Sequence, residues 1–334
     1  MSVFGVEILA TSGVPDAKLT HAATIMAEYL DNDEDGVVDD ATVTAKLVEA
    51  KAILVMFKDE AEKESIEVEP EDYALQDLQA EETLPEGSSL ASGFDATLEE
   101  VLHLISSQGY AKAYPAALGE STGSLLCDAM DIARGGQFTS VPLSYPSGAW
   151  YHYEDGTCDY ACMATEYFYW ALTSHLGAQS YRRDDGILAS EWELATPELF
   201  KNGDTKMYAL LTDAQYKLPS TLPNGSYSPS SWTALAQSSS NLGSKWHRLS
   251  WFGDWMETGS KWIYHQEHGW LYLSAASVAS IWMYELNLGW LWTTSSIYPF
   301  VYSQNKTGWL YFIKSSSPRK FWDFQGNAWI TYSN

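Results

Sequence analysis

Gly269-Trp270-Leu271-Tyr272-Leu273, Gly289-Trp290-Leu291-Trp292-Thr293 and Gly308-Trp309-Leu310-Tyr311-Phe312 recur at spacings of 20 and 19 residues. Large aromatics alternate with smaller residues in each string, which is the two-residue period of a strand. A second aromatic stretch follows each string, at 281–286, 300–303 and 320–324; residues 262–265 precede the series and 328–332 close it. A fixed period near 20 marks a repeat that buries its faces by stacking neighbours. The spacing predicts an all-β antiparallel meander of aromatic hairpins. Trp and Tyr are the expected core of this thin sheet, and surplus exposed rings would form a contact surface.

Outward from the repeats, the composition changes. Residues 245–334 carry seven Lys/Arg and five Asp/Glu, a net of +2, and hold 11 of the 15 Trp. The whole chain of 334 residues has a net charge of −25, so residues 1–244 carry −27. That acidity excludes phosphate neutralisation, and with it nucleic acid as a partner; the absence of a long apolar run excludes membrane insertion. Between the two regions lie Asn224-Gly225-Ser226-Tyr227-Ser228-Pro229-Ser230-Ser231 and Ser238-Ser239-Ser240-Asn241, a Ser-rich linker by composition. The expected domains are therefore 1–224, a linker 225–244, and 245–334. Residues 58–86 hold 12 acidic residues in 29 and read as a solvated loop or ragged helix. No signal peptide is visible, although sequons at Asn224 and Asn305 are compatible with secretion.

The N-terminal region opens with a predicted strand at 3–11 and a helix at 17–30. Next comes Asp31-Asn32-Asp33-Glu34-Asp35-Gly36-Val37-Val38-Asp39-Asp40. Oxygen ligands at loop positions one, three and five with Gly at six form the first half of a calcium loop. Asp31, Asp33 and Asp35 would supply carboxylates and Val37 its carbonyl. Thr42 stands where a full hand has its bidentate Glu, so Asp39 or Asp40 would close a shorter loop. Such a Ca²⁺ site would tie helix 17–30 to the next helix, 41–49.

Asp95 and Gly109 bracket a predicted helix of about 13 residues, with Asp as N-cap and Gly as terminator. It carries Glu99-Glu100-Val101-Leu102-His103, in which Glu99 and His103 share a face. Zinc peptidases place His-Glu-x-x-His on such a helix, with two His ligands and a Glu base; Glu99 here replaces the first His. A second helix, from Cys158 to Gly177, is apolar nearly all round, so its Glu166 needs a charge partner, a hydrogen-bond network or a metal. A di-iron centre is excluded, because Glu100–His103 is the only Glu-x-x-His pair. Cys158 and Cys162 leave three readings open: a zinc pair with His152 or His175, a disulfide with each other or with Cys127, or buried thiols. No Walker motif is present: Gly119-Glu120-Ser121-Thr122-Gly123 lacks a following Lys.

The strings Leu98-Glu99-Glu100-Val101-Leu102-His103, Met130-Asp131-Ile132-Ala133-Arg134-Gly135-Gly136, Thr157-Cys158-Asp159-Tyr160 and Thr165-Glu166-Tyr167-Phe168-Tyr169-Trp170 resemble an uncharacterised family of extracellular zincin-like proteins with a degenerate gluzincin motif. The string Tyr29-Leu30-Asp31-Asn32-Asp33-Glu34-Asp35-Gly36 belongs to the same likeness, which spans roughly residues 1–225. By position it implies Glu99, His103 and Glu166 as Zn²⁺ ligands and Glu100 as base, with Tyr151 or Tyr153 donating to an oxyanion. The tail resembles the aromatic C-terminal modules of bacterial surface proteins and, more distantly, cell-wall-binding repeats. The expected fold class is α+β: a mainly helical zincin-like domain with a small sheet, then the β-meander. The expected function is that of a secreted, calcium-binding surface or matrix protein. Its metallopeptidase-like domain would be inactive or altered, and its aromatic module would attach it to a cell-surface or matrix component or to copies of itself. The rival expectations are an active zinc metallopeptidase and a carbohydrate-binding protein acting through the repeats.

Overall fold

The computed structural model describes residues 1–34, 36–66, 72–84, 95–180, 190–227, 235–236, 239–258, 261–276 and 279–332. The fold class is α+β, and the chain divides into two units: Met1–Asp33 with Val38–Tyr227, and Glu34–Val37 with Ser228–Asn334.

The first unit is built around a four-stranded sheet. Strands β1 (Ser2–Val3) and β2 (Val6–Ala10) form an antiparallel hairpin; β2, β3 (Ala52–Phe57) and β4 (Ala74–Gln79) then pair in parallel, with Leu54 opposite Ile8 and Gln76. All six residues of β3, Ala-Ile-Leu-Val-Met-Phe, are buried, as befits a central parallel strand covered on both faces. Strand β4 corrects the reading of 58–86 as a solvated block. The short helix α3 (Glu60–Ser65) and β4 both form there, and Lys63 holds Asp77 at 2.7 Å. Residues 67–71 and 85–86 of that block lie outside the described residues.

Helices α1 (Asp16–Leu30) and α2 (Ala41–Glu49) form where the sequence pattern places them. Asp40 caps α2, its Oδ1 accepting the N–H groups of Thr42 at 2.8 Å and Val43 at 3.2 Å. Helix α4 (Thr97–Leu104) begins behind Asp95, whose Oδ1 accepts the Thr97 N–H at 3.1 Å. It does not stop at Gly109. The chain widens into a π-helical stretch, Ile105–Tyr110, and continues through α5 (Ala111–Ala113) and α6 (Pro115–Leu118). Gly109 lies inside the π-stretch and packs closely on α2: an added Cβ would sit 2.8 Å from Val43 Cγ1 and 3.2 Å from Leu47 Cγ. Helix α7 (Leu125–Ala133) follows a Ser124 cap. Helix α8 (Tyr160–Leu176) starts at Asp159, which accepts the Cys162 N–H at 2.9 Å, and stops at Gly177 with φ 90°.

The chain from 220 to 227 is fastened to the end of α1, although its composition reads as the start of a linker. Buried Glu28 accepts three successive backbone N–H groups, from Asn224 (2.7 Å), Gly225 (2.9 Å) and Ser226 (3.0 Å). Asn32 Oδ1 accepts those of Ser220 and Thr221, both at 2.9 Å. The other end of the expected linker belongs to the second unit, where Leu235 is fully buried and Ser240–Gly243 is a strand. Residues 228–234 and 237–238 lie outside the described residues.

The second unit is an 11-stranded antiparallel meander in chain order, β5 (Ser240–Gly243), β6 (Trp246–Leu249), β7 (Gly253–Glu257), β8 (Trp262–His265), β9 (Gly269–Ala276), β10 (Ser280–Glu285), β11 (Gly289–Thr294), β12 (Phe300–Ser303), β13 (Gly308–Ile313), β14 (Arg319–Asp323) and β15 (Ala328–Tyr332). The predicted hairpins are present, but the expected core is corrected. The buried face is mainly aliphatic: Leu271, Leu273, Ile281, Met283, Leu291, Val301 and Leu310 are each fully buried. The alternate positions carry most of the Trp and Tyr, and they line the outer face. Trp282 pairs with Trp292, Tyr284 with Trp290, Tyr302 with Trp309 and Trp322 with Trp329 across adjacent strands, their ring centres 5.1–6.2 Å apart. Such cross-strand aromatic pairs stabilise a sheet from its wet side.

Three of the turns share one device. In β8, β10 and β14 the last residue of the strand caps the turn that follows: His265 Nδ1 accepts the N–H groups of Glu267 and His268, Glu285 those of Asn287 and Leu288, and Asp323 those of Gln325 and Gly326. Gly269 and Gly289 then restart the chain at φ 75° and 71°, where a side chain is strained. The sheet coils enough for Arg319 on β14 to reach the His268 carbonyl at 2.7 Å and the Glu285 carboxylate at 2.9 Å.

Glu28→Gln keeps the shape of the α1 clamp but removes its charge and turns an amide toward N–H donors. The expected cost is about 2 kcal/mol in urea unfolding; a loss below ~0.5 kcal/mol, the scale of an ordinary surface substitution, would contradict the clamp.

Candidate metal centre

Three of the sequence-predicted ligands converge. Glu99, His103 and Glu166 each offer a ligand atom, and these atoms lie within 4.8 Å of one another. The first two are one helical turn apart on α4 and the third comes from α8. The helices are held together by packing that includes an edge contact between the His103 and Tyr169 rings, 5.7 Å apart. His103 is 7% exposed.

The two ring nitrogens face different carboxylates. Nδ1 lies 3.3 Å from Glu100 Oε2, and Nε2 lies 3.4 Å from Glu166 Oε2. Nε2 is buried and makes no hydrogen bond in this geometry. Glu100 is anchored from behind by Gln76 of β4, whose amide donates to Oε2 at 2.6 Å. With Glu100 taking the Nδ1 proton, Nε2 presents a lone pair to a carboxylate oxygen. Two acceptors at that distance require a positive charge between them, either a proton or a metal ion. The chain alone answers with a proton. Burial opposes the imidazolium, but the charges of Glu166 and Glu100 and the hydrogen bond of Glu100 outweigh it and hold the His103 pKa well above the ordinary histidine value.

Of the two tyrosines, Tyr153 reaches the centre, donating to Glu166 Oε1 at 3.2 Å. Its burial and the Glu166 charge push its pKa up, so it stays a donor. Tyr151 is fully buried and donates to the Met163 carbonyl at 2.8 Å, away from the cluster. A cavity of about 240 Å³ opens beside the centre, lined by Leu75, Gln76, Leu104, Ser107, Thr165 and Glu166 among others. Cys158 and Cys162 form a disulfide at the start of α8, which settles the open cysteine readings and removes the pair as zinc ligands; Cys127 is a buried free thiol.

The acidic loop forms a second group. Ligand atoms of Asp31, Asp33 and Asp39 lie within 4.8 Å of one another. Asp31 accepts the Tyr227 hydroxyl, and Asp39 accepts the Asn32 N–H at 2.7 Å. Asp35 lies outside the described residues, Val37 is 48% exposed, and Asp40 is occupied as the α2 cap. Asx-type caps are readable in sequence, and Asp40 standing directly before a helix was the available signal.

Comparison with family models, with curated proteins and with solved structures finds no match to this chain. Among the described residues, no helix is long and apolar enough to cross a membrane.

A histidine with a raised folded pKa contributes stability that is fully present below its unfolded value of about 6.5 and is lost as pH rises through the folded value. In metal-free protein, His103→Gln is therefore expected to destabilise more at about pH 6 than at about pH 9. Urea unfolding at both pH values checks this, and a deficit that grows with pH would contradict it.

Proposed function

We propose that the N-terminal unit is a zincin-like metal-binding domain in which Glu99, His103 and Glu166 hold one transition-metal ion, with Zn²⁺ as the first choice. The observation that carries this reading is the buried His103 Nε2, which makes no hydrogen bond yet faces Glu166 Oε2 from 3.4 Å. An imidazole with two carboxylates fits a borderline divalent ion, and Glu100 behind Nδ1 is the usual outer partner of a metal-bound histidine. When bound, the ion would supply Lewis acidity at the mouth of the cavity. Tyr153 would hold Glu166 in place, and Glu100, bonded to Gln76, would fix the ring tautomer. Because Glu100 is engaged on the far nitrogen, we favour an altered or inactive relative of the metallopeptidases over an active one.

The β-meander is proposed as the attachment module, binding a cell-surface or matrix component or further copies of the chain. Its support is the aromatic outer face, where Trp270, Trp309 and Trp329 are 49%, 39% and 56% exposed. An extracellular location is favoured by the Cys158–Cys162 disulfide, since such bonds persist in oxidising compartments. Asp31, Asp33 and Asp39 are proposed as a structural Ca²⁺ site.

Elemental analysis of protein purified without chelators is expected to give about one transition metal per chain, lost in His103→Ala. Glu100→Gln should keep the metal but weaken its affinity at least tenfold, the usual scale for an outer partner. Metal content that is unchanged in His103→Ala would end the reading.

For the loop, Ca²⁺ is expected to raise the melting temperature of EDTA-treated protein, and Asp33→Asn should abolish the rise. An equal rise in the variant would place calcium elsewhere.

A further inference from the structure

The cavity beside His103 has a wall whose hydrogen-bonding character is set from behind. Glu120 lies next to it, between the π-stretch and α8. Its Oε2 accepts the Ser107 hydroxyl at 3.0 Å, and its Oε1 accepts the Thr165 hydroxyl at 2.7 Å. Both hydroxyls line the cavity. A hydroxyl has one proton, so each of these, having given it to Glu120, offers only lone pairs elsewhere. The other acceptor of the Thr165 proton is the Ala161 carbonyl at 3.2 Å, on its own helix, so that alternative also takes the proton away from the ring of lining residues. Gln76 gives one of its two amide protons to Glu100. Glu166 is a carboxylate; His103 and the Gln108 amide also line the cavity and can donate, but no Lys or Arg is among the lining residues, and the carboxylates of Glu166, Glu100 and Glu120 outnumber the one imidazole. Leu75 and Leu104 supply apolar surface in the same cavity.

We infer that this cavity is a subsite for a primary amine or guanidinium carried on a short alkyl chain, as at the side chain of a Lys or Arg residue in a peptide. Acceptors meet the cationic head and the two leucines meet its methylenes, a pairing that a bare inorganic cation does not use. Glu120 is the positioning residue: it touches no ligand but fixes the direction of two hydroxyls and adds negative charge. The inference deepens the metal-centre reading by giving that centre a substrate class; it shares Glu166 with that reading but stands chiefly on Ser107, Thr165 and Glu120.

The test is a titration of the full chain, as purified and after EDTA treatment, with n-butylamine and with n-butanol, followed by NMR shifts or calorimetry. The amine is expected to bind at least tenfold more tightly than the alcohol, the scale of one charge-assisted hydrogen bond. Glu120→Gln should collapse that ratio to roughly unity, because the new amide donates and frees a hydroxyl proton to turn inward. A merely structural role for Glu120 would lower both affinities together and leave the ratio standing, which would overturn the assignment. If Glu120→Gln fails to fold, Thr165→Val carries the same prediction by removing one acceptor at constant shape. Equal binding of the two probes, or binding of neither, would overturn the proposal, as would occupancy by Ca²⁺ with no amine binding. Loss of metal from the wild-type chain with the amine preference intact would instead fault the metal reading alone.

Discussion

An imidazole lone pair facing a carboxylate oxygen at 3.4 Å, in a nearly dry wall, cannot persist without a positive charge between the two. The architecture of the N-terminal unit serves that confrontation. Helix α4 brings His103 with Glu99 one turn behind it, α8 brings Glu166 from the opposite side, and β4 sends Gln76 to fasten Glu100 behind the ring. The π-stretch after α4 packs Gly109 closely on α2 and keeps Ser107 at the cavity wall. Local widening of this kind is common near functional sites, where helix geometry is adjusted to place a side chain.

The two units solve burial differently. The first covers a mostly parallel sheet with helices, so its β3 is apolar on both faces. The second has a meander whose inner face is closed by aliphatic side chains, while Trp and Tyr pave the outer face in cross-strand pairs. An aromatic pavement gives such a sheet stability without a second layer and leaves a large apolar surface for contact. Its strands are neutral or slightly basic, in contrast with the strongly acidic remainder of the chain.

What sequence made legible was local in origin. The helix start at Asp95 and the stop at Gly177, the stretch 41–49 behind Asp40, and the glycines opening the repeats all act within one turn of themselves, so their signals survive without the fold. The convergence of Glu99, His103 and Glu166 was also legible, through the i,i+4 pair and a carboxylate stranded on an apolar helix. The failures were tertiary. Strand β4, Ala-Leu-Gln-Asp-Leu-Gln, lies within an acidic stretch, and its pairing with β3 decides its state. The Glu28 clamp joins positions almost 200 residues apart and uses backbone N–H groups, which carry no residue signature. Which face of the meander is buried is a matter of register: the alternation was visible, but aromatic size suggested the inside when the aliphatic positions took it. Glu100 sits behind the ring rather than before it because of Gln76, a residue no motif includes.

The most direct test of the metal centre is crystallographic: anomalous difference maps collected on either side of the zinc absorption edge, from crystals grown without chelator. The account predicts a single strong peak roughly 2.0–2.2 Å from His103 Nε2 and from oxygens of Glu99 and Glu166. A map with no peak there, and with His103 Nε2 bonded directly to Glu166 through a proton, would contradict it.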